Sequence, residues 1–223
     1  MEIVIVLGGP NTKEDIKTLL ENRYAKAYED FRFIGVDGGA LRLLDQHLPM
    51  EVAIGDFDSV TKEQRDLIHE AATTVVQLPC EKDDTDFEAA LLWVKEHYEG
   101  TPIHVLGSFG GRVDHAISTL WTMMRPDLAP LIPYVVFEDA TNVVNFIQPG
   151  TYTIEKMDFT KYLSFISMTP VENVTIQNVK YTLDSKSYAY PVALVSNEFT
   201  ADKMTISFTK GLILVAQTRD HWR

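Results

Sequence analysis

The chain has 223 residues, 45% of them hydrophobic and 23% charged, with a formal net charge of −12, a composition that suits one large or two small globular domains with a sizeable core. The acidic balance argues against non-specific nucleic-acid binding, which needs lysine and arginine to neutralise phosphates, and no run of about 18 apolar residues marks a membrane helix. Cys80 is the single cysteine, so no internal disulfide can form and a reducing cytoplasm is the expected compartment.

The opening residues MEIVIVLGGP have neither the basic start nor the small-residue cleavage site of a signal peptide, and IVIVLGG (3–9) reads as a first strand. Further strand-like runs are FRFIGVDGG (31–39), VAIGDFDS (52–59), TTVVQLP (73–79) and IHVLGSFGG (103–111). Helix-like segments separate them at 12–22, 40–47, 61–72 and 85–98, and another, HAISTLWTMM, follows Asp114. In the 85–98 segment Phe87, Leu91, Val94 and Tyr98 fall on one face at helical spacing. Thr61 with Gln64 has the form of a capping box. Trp93 and Trp121 lie on helix patterns and are expected in the core. Repeated strand–helix units imply a mostly parallel, Rossmann-like sheet with helices on its faces.

The segment RPDLAPLIP (125–133) holds three of the ten prolines and marks a junction, with domains expected at 1–130 and 131–223. Beyond it come short alternating runs, YTIEK, YLSFISM, NVTIQNVKYTL, YAYPVALV, KMTISF and GLILVAQT. Strands so spaced suggest an antiparallel β-sandwich. Ten of the twelve glycines precede Arg112, which concentrates tight, backbone-exposing loops in the α/β part.

In an open parallel sheet, ligands bind at the carboxyl ends of the strands, and the chemistry-bearing residues fall at those ends. Asp37-Gly38-Gly39 follows the second strand, and Asp56-Phe57-Asp58 the third. Lys82-Asp83-Asp84-Thr85-Asp86 follows the fourth, and Gly107 to His115 the fifth. Asp56 and Asp58 sit two apart, on one side of an extended backbone, with Phe57 pointing away. Like charges so close raise each other's pKa unless a cation lies between them. A lone D-x-D is more often a turn or a helix cap, and Thr85 and Asp114 equally suit caps. Seven of the seventeen aspartates crowd this edge; without nearby lysine they would repel strongly, and Mg²⁺ is the natural counterion. Gly38-Gly39 and Gly110-Gly111 expose backbone N–H groups suited to phosphate, and Arg112 offers a bidentate partner. Taken singly, Lys82 reads as a solvated loop charge and Arg112 as a surface ion pair. No GxxxxGK[ST] is present, so an ordinary P-loop kinase is disfavoured, and the histidines have no zinc-ligand spacing.

The motifs DGG, GDFDS, KDDTD and GGRVDH, in this order and spacing, resemble the thiamine pyrophosphokinase family, and SNEF (196–199) resembles its second-domain motif. The resemblance implies an α/β nucleotide-binding domain, a β-sandwich, and a homodimer with thiamine held where subunits meet. It implies transfer of the diphosphoryl group of ATP to the hydroxyl of thiamine, with AMP leaving. Mg²⁺ would be held by Asp56 and Asp58, with Asp86 as third ligand or thiamine contact. ATP would be bound by Asp37, Gly38, Gly39, Lys82, Asp83, Thr85, Gly110, Gly111, Arg112 and His115. Ser196 and Asn197 would contact thiamine, and Asp86 or Asp114 would accept the hydroxyl proton. Where this chain has Thr119, the family commonly has asparagine. Trp222 is a candidate for stacking across a dimer interface. Two other classes use the same residues: a Mg²⁺-dependent nucleotide hydrolase, and a non-catalytic small-molecule sensor.

Overall fold

The run EIVIV forms strand β1 (Glu2–Val6), and its last four residues are buried, as expected for a central parallel strand covered on both faces. The computed structural model, which describes residues 1–9 and 15–220, places five further strands in the same unit. These are β2 (Phe31–Val36), β3 (Met50–Gly55), β4 (Ala72–Gln77), β5 (Ile103–Leu106) and β6 (Val135–Glu138). All pair in parallel, in the order β6-β5-β1-β2-β3-β4. The order reverses at β1, so the carboxyl ends of β1 and its neighbours border a topological switch point.

Helices α1 (Ile16–Tyr24), α2 (Gly38–Asp45), α3 (Lys62–Ala71), α4 (Asp86–His97) and α5 (Val113–Trp121) connect these strands. The first residues expected in helix, 12–14, lie outside the described residues; α1 is capped by Asp15, which accepts from the Thr18 N–H at 2.7 Å. Thr61 and Gln64 form the expected capping box of α3. The helix begun at α5 gives way at Thr122–Met124 to a 3₁₀ turn. Trp121 was expected in the core but is 56% exposed, because α5 turns much of its surface to solvent. Trp93 is partly buried and stacks on His97 at 4.1 Å.

The chain divides into compact units Met1–Ala140 and Thr141–Arg223, later than the expected boundary at 130/131. The reason is β6, a strand beyond the proline-rich segment that still pairs in parallel with β5. In the second unit, β7 (Asn142–Ile147), β9 (Tyr162–Ser167), β12 (Ala193–Asn197) and β14 (Ile213–Thr218) run antiparallel in the order β12-β9-β14-β7. Strands β8 (Gly150–Glu155), β10 (Val171–Gln177), β11 (Leu183–Tyr188) and β13 (Lys203–Phe208) form a second sheet, β11-β10-β13-β8. Leu163, Phe165 and Val215 of the first sheet share one core with Ile176, Met204 and Ile206 of the second. This is the expected sandwich. Strands β6 and β7 were not anticipated, since VVFE and NVVNFI are too short and evenly apolar for a clear period of two. Trp222 lies outside the described residues.

Candidate active site

Parallel register brings the ends of β2 and β3 side by side. Val36 pairs with Ile54, and the Asp37 N–H donates to the Ile54 carbonyl at 2.9 Å. Asp37 therefore leaves β2 level with Gly55. Its backbone has φ 46° and ψ −122°, an uncommon conformation for a non-glycine residue and one that clusters at functional sites. Gly39 lets α2 start there: a Cβ on it would lie 1.8 Å from the Val6 carbonyl oxygen, a clash no shift of a side chain could relieve.

After β3 the chain makes the turn that carries Asp56 and Asp58. Phe57 between them is fully buried in the unit's core, worth roughly 2–3 kcal/mol for a side chain of its size, and so anchors the turn from below. Its φ is 54°. Arg65 of α3 donates through Nη2 to the Phe57 carbonyl at 2.9 Å, and Gln77 Nε2 donates to the Asp56 carbonyl at 2.9 Å. The Asp58 N–H donates to Asp56 Oδ1 at 3.2 Å, and Ser59 Oγ donates to Asp37 Oδ2 at 3.0 Å. Carboxylate oxygens of Asp37, Asp56 and Asp58 all lie within 4.8 Å of one another. Asp37 Oδ1 is buried without a hydrogen-bond partner. An all-oxygen donor set with an unsatisfied buried oxygen fits a hard divalent cation.

The third carboxylate of this cluster is Asp37; Asp86, expected as third ligand or thiamine contact, is not in it. Asp86 opens α4 and instead faces Lys82, whose Nζ lies 3.2 Å from Asp86 Oδ1. That ion pair lacks hydrogen-bond geometry, and Asp86 Oδ1 is buried without such a bond. Burial pushes the Asp86 carboxyl up; Lys82 opposes this, while the charges of Asp56 and Asp37 add to it. Asp56 shifts the other way, held below the usual carboxylate range chiefly by its hydrogen bond from Lys82.

Lys82 is thus not a solvated loop charge: Nζ donates to Asp56 Oδ2 at 2.9 Å and to the Pro79 carbonyl at 3.1 Å. Burial would lower its pKa, but the two aspartates raise it. The acidic edge is balanced in part by the protein's own cations. Lys82 bridges Asp56 and Asp86, Arg125 pairs with Asp84 at 2.5 Å, and Arg112 with Asp114 at 2.6 Å. Arg112–Asp114 and Lys82–Asp86 are local pairs, whereas Lys82 reaches Asp56 and Arg125 reaches Asp84 from distant parts of the chain, which linear spacing does not reveal.

Thr85 is the N-cap of α4 in a capping box with Glu88, and Asp83 is exposed. Gly110 and Gly111 take φ 80° and 77° ahead of α5. Arg112 and Asp114 are largely exposed and paired; that hydrogen bond holds the Asp114 carboxyl down at about 2. His115 is exposed and Thr119 buried.

In the second unit, Ser196 is exposed with φ 60°, where the pairing of β12 with β9 shifts register. Its N–H donates to Ser164 Oγ at 3.2 Å. Asn197 is 4% exposed; its Oδ1 accepts from the N–H groups of Tyr181 and Glu198, and its Nδ2 donates to the Tyr181 carbonyl. Its amide braces the backbone, leaving the outward position to Ser196. Sequence reasoning passed over Ser59, Arg65 and Gln77. Only Ser59, inside GDFDS, carried a signal.

Residues 26–133 match the family model described as thiamin pyrophosphokinase, catalytic domain, and residues 151–213 that of thiamin pyrophosphokinase, vitamin B1 binding domain. A thiamine pyrophosphokinase of Bacillus subtilis (strain 168) is 32% identical over 98% of this chain and 99% of its own length. The crystal structure of a thiamin pyrophosphokinase family protein from Enterococcus faecalis superposes with a TM-score of 0.87 at 32% identity, covering 99% of this chain and 100% of that one. Thiamin pyrophosphokinase from Candida albicans, at 14% identity and a TM-score of 0.78 over 98% of this chain and 89% of its own, shares the fold.

Proposed function

The chain belongs to the thiamin pyrophosphokinase family, and we propose how its own residues divide the labour of that reaction. The protein transfers the diphosphoryl group of ATP to the hydroxyl of thiamine: the new bond forms between that oxygen and the β-phosphorus, the bond from the β-phosphorus to the α,β-bridging oxygen breaks, and AMP leaves. Such a transfer asks little covalent chemistry of the protein and depends on positioning and charge neutralisation.

The observation that carries the assignment is the convergence of Asp37, Asp56 and Asp58 at adjacent strand ends, their oxygens within 4.8 Å. These three residues would hold Mg²⁺, which when bound neutralises phosphate oxygens. Phe57 and Arg65 keep the turn in shape, and Ser59 orients the Asp37 carboxylate. Asp86 is the proton acceptor in this reading, because burial raises its carboxyl despite the Lys82 pair, whereas the hydrogen bond from Arg112 holds the Asp114 carboxyl down. Lys82 stands as countercharge to Asp56 and Asp86 and would offset negative charge on the transferring phosphates. Gly38, Gly39, Gly110 and Gly111 supply backbone N–H groups, with Arg112, His115, Asp83 and the Thr85 loop at the nucleotide's margin. Ser196 contacts thiamine, with Asn197 shaping its loop. The homodimer, with each site shared between subunits, is part of the proposal. So are the cytoplasmic compartment, supported by the single thiol of Cys80, and the lack of a nucleic-acid partner, supported by the charge of −12. No helix among the described residues is long and apolar enough to cross a membrane.

Incubation with thiamine, ATP and Mg²⁺ tests the reading. AMP and thiamine diphosphate should form in equal amounts. ADP with thiamine monophosphate, or phosphate release independent of thiamine, would overturn it.

A further inference from the structure

One arginine of the α/β unit stands apart from the others. Arg23, Arg32, Arg112 and Arg125 each pair with a carboxylate, and Arg65 donates to the Phe57 carbonyl. Arg42, one turn into α2, is partly buried, and no hydrogen bond or ion pair to its guanidinium is present among the described residues. Burial is the one influence on its pKa, and it lowers it. Desolvating a cation without an anion is costly, and in a chain carrying −12 carboxylate partners are plentiful, so the lack of one calls for a cause.

The position of Arg42 supplies one. Long helical side chains lean toward the helix N-terminus, here the end of α2 at the carboxyl edge of the sheet. A Cβ on Gly107 would lie 2.9 Å from Arg42 Nη1 and 2.5 Å from the Leu7 carbonyl oxygen, so the guanidinium packs against the loop leaving β5, beside the end of β1. Gly107 has φ 78°, a conformation that glycine adopts without strain. The next residue, Ser108, is 6% exposed, and its Oγ is buried with no hydrogen-bond partner. A cation without an anion thus packs against Gly107, the chain neighbour of a buried hydroxyl without a partner, at the switch point between β1 and β5, where open α/β sheets bind ligands.

We propose that Arg42 and Ser108 form an anion subsite that takes a phosphate group of ATP, lying across β1 from the carboxylates at the ends of β2 and β3. The proposal rests on the diphosphotransferase reading for the identity of the nucleotide. A guanidinium fork matches two phosphate oxygens, and a serine hydroxyl donates to a third or fits beside it. The bound phosphate satisfies both orphaned groups at once.

Titration calorimetry with ATP and with adenosine, each in the presence of Mg²⁺, tests the subsite. Arg42→Met should weaken ATP binding by about 10- to 100-fold, the range of a charge-assisted hydrogen bond, and leave adenosine binding unchanged. Arg42→Lys should recover part of the loss. Ser108→Ala should weaken ATP about two- to tenfold. Steady-state kinetics should show the loss in KM for ATP and not in KM for thiamine. If Arg42→Met does not fold, the Lys and Ser108→Ala variants carry the same comparison. ATP bound as tightly by the variants as by the parent overturns the subsite, as does an equal loss for adenosine, which would mean that Arg42 supports the base pocket or the fold. A parent that binds ATP in an Arg42-dependent way yet forms no AMP upholds the subsite and overturns the functional reading.

Discussion

The Lys82 ammonium lies 2.9 Å from Asp56 Oδ2, so the side chain that balances the acidic edge sits on one of the carboxylates proposed to hold Mg²⁺. Removing Lys82 should therefore separate two effects. Lys82→Met should bind Mg²⁺ more tightly than the parent, because the competing cation is gone, while turnover falls by about 100-fold through loss of a charge that stabilises the transferring phosphates. Calorimetric Mg²⁺ titration beside steady-state rates checks this; weaker Mg²⁺ binding would contradict it.

Asp37, Asp56 and Asp58 should be equivalent in one respect. Asn at any of the three should abolish turnover, by about 1,000-fold or more where a metal ligand is lost, yet leave the fold intact. Relief of like-charge repulsion should keep the thermal midpoints of Asp37→Asn and Asp58→Asn, measured in chelator, at or slightly above that of the parent, whereas Asp56→Asn should fall slightly below it through loss of the Lys82 pair. Asp37 is the discriminating case, since near-normal turnover in Asp37→Asn would return the third ligand to Asp86.

Stability in acid should depend on Glu138, which is fully buried and accepts from Arg23 at 2.6 Å, His104 at 2.9 Å and Tyr24 at 2.9 Å. Burial pushes its carboxyl up, but His104 and Arg23 outweigh burial and hold it below the ordinary 4.5. A depressed carboxyl contributes fully above the unfolded value, and its contribution fades as pH falls from about 4.5 through the lower folded value. Glu138→Gln should lose about 3–5 kcal/mol at neutral pH, as when one partner of a buried ion pair is removed. The gap to the parent should narrow below pH 4.5. Urea unfolding across pH 3 to 7 measures both.

Shared sites can be tested by mixing. Asp56→Asn chains should be inactive at the carboxylate cluster, and Ser196→Phe chains at the outward position of β12. Co-refolded, they should regain activity, because one site of a heterodimer carries both changes and the other neither. Ser196 is preferred over Asn197 for this, since the Asn197 amide holds the Tyr181 backbone and its loss would damage the sandwich itself. Continued inactivity, with mixed dimers verified by mass, would sink the shared site.

Much of the architecture was legible in the chain alone. Continuous apolar runs, helical periods between them and glycine or aspartate at each strand end determined a parallel sheet with its chemistry along one edge, because backbone periodicity and turn preference are local. The change to short alternating runs likewise determined a sandwich in the second half. Phe57 is buried as expected, but through a turn in which its φ is 54° rather than the two-residue repeat of an extended chain, which ends at Gly55.

Only the tertiary structure decided which of those residues meet. Strand order and register set Asp37 level with Gly55, making it the third carboxylate, and Gly39 permits that approach by lacking a Cβ against Val6. Neither is visible in spacing along the chain. Lys82 lies between Asp56 and Asp86, Arg65 holds the Phe57 carbonyl, and Arg42 packs against Gly107. The approaches of Lys82 to Asp56 and of Arg42 to Gly107 join segments far apart in sequence. Asn197 matched a motif, yet packing turned its amide to the backbone and left Ser196 outside. Periodicity says which way a side chain points from its own element; what it meets depends on the strand laid beside it, a long-range pairing that no local preference encodes.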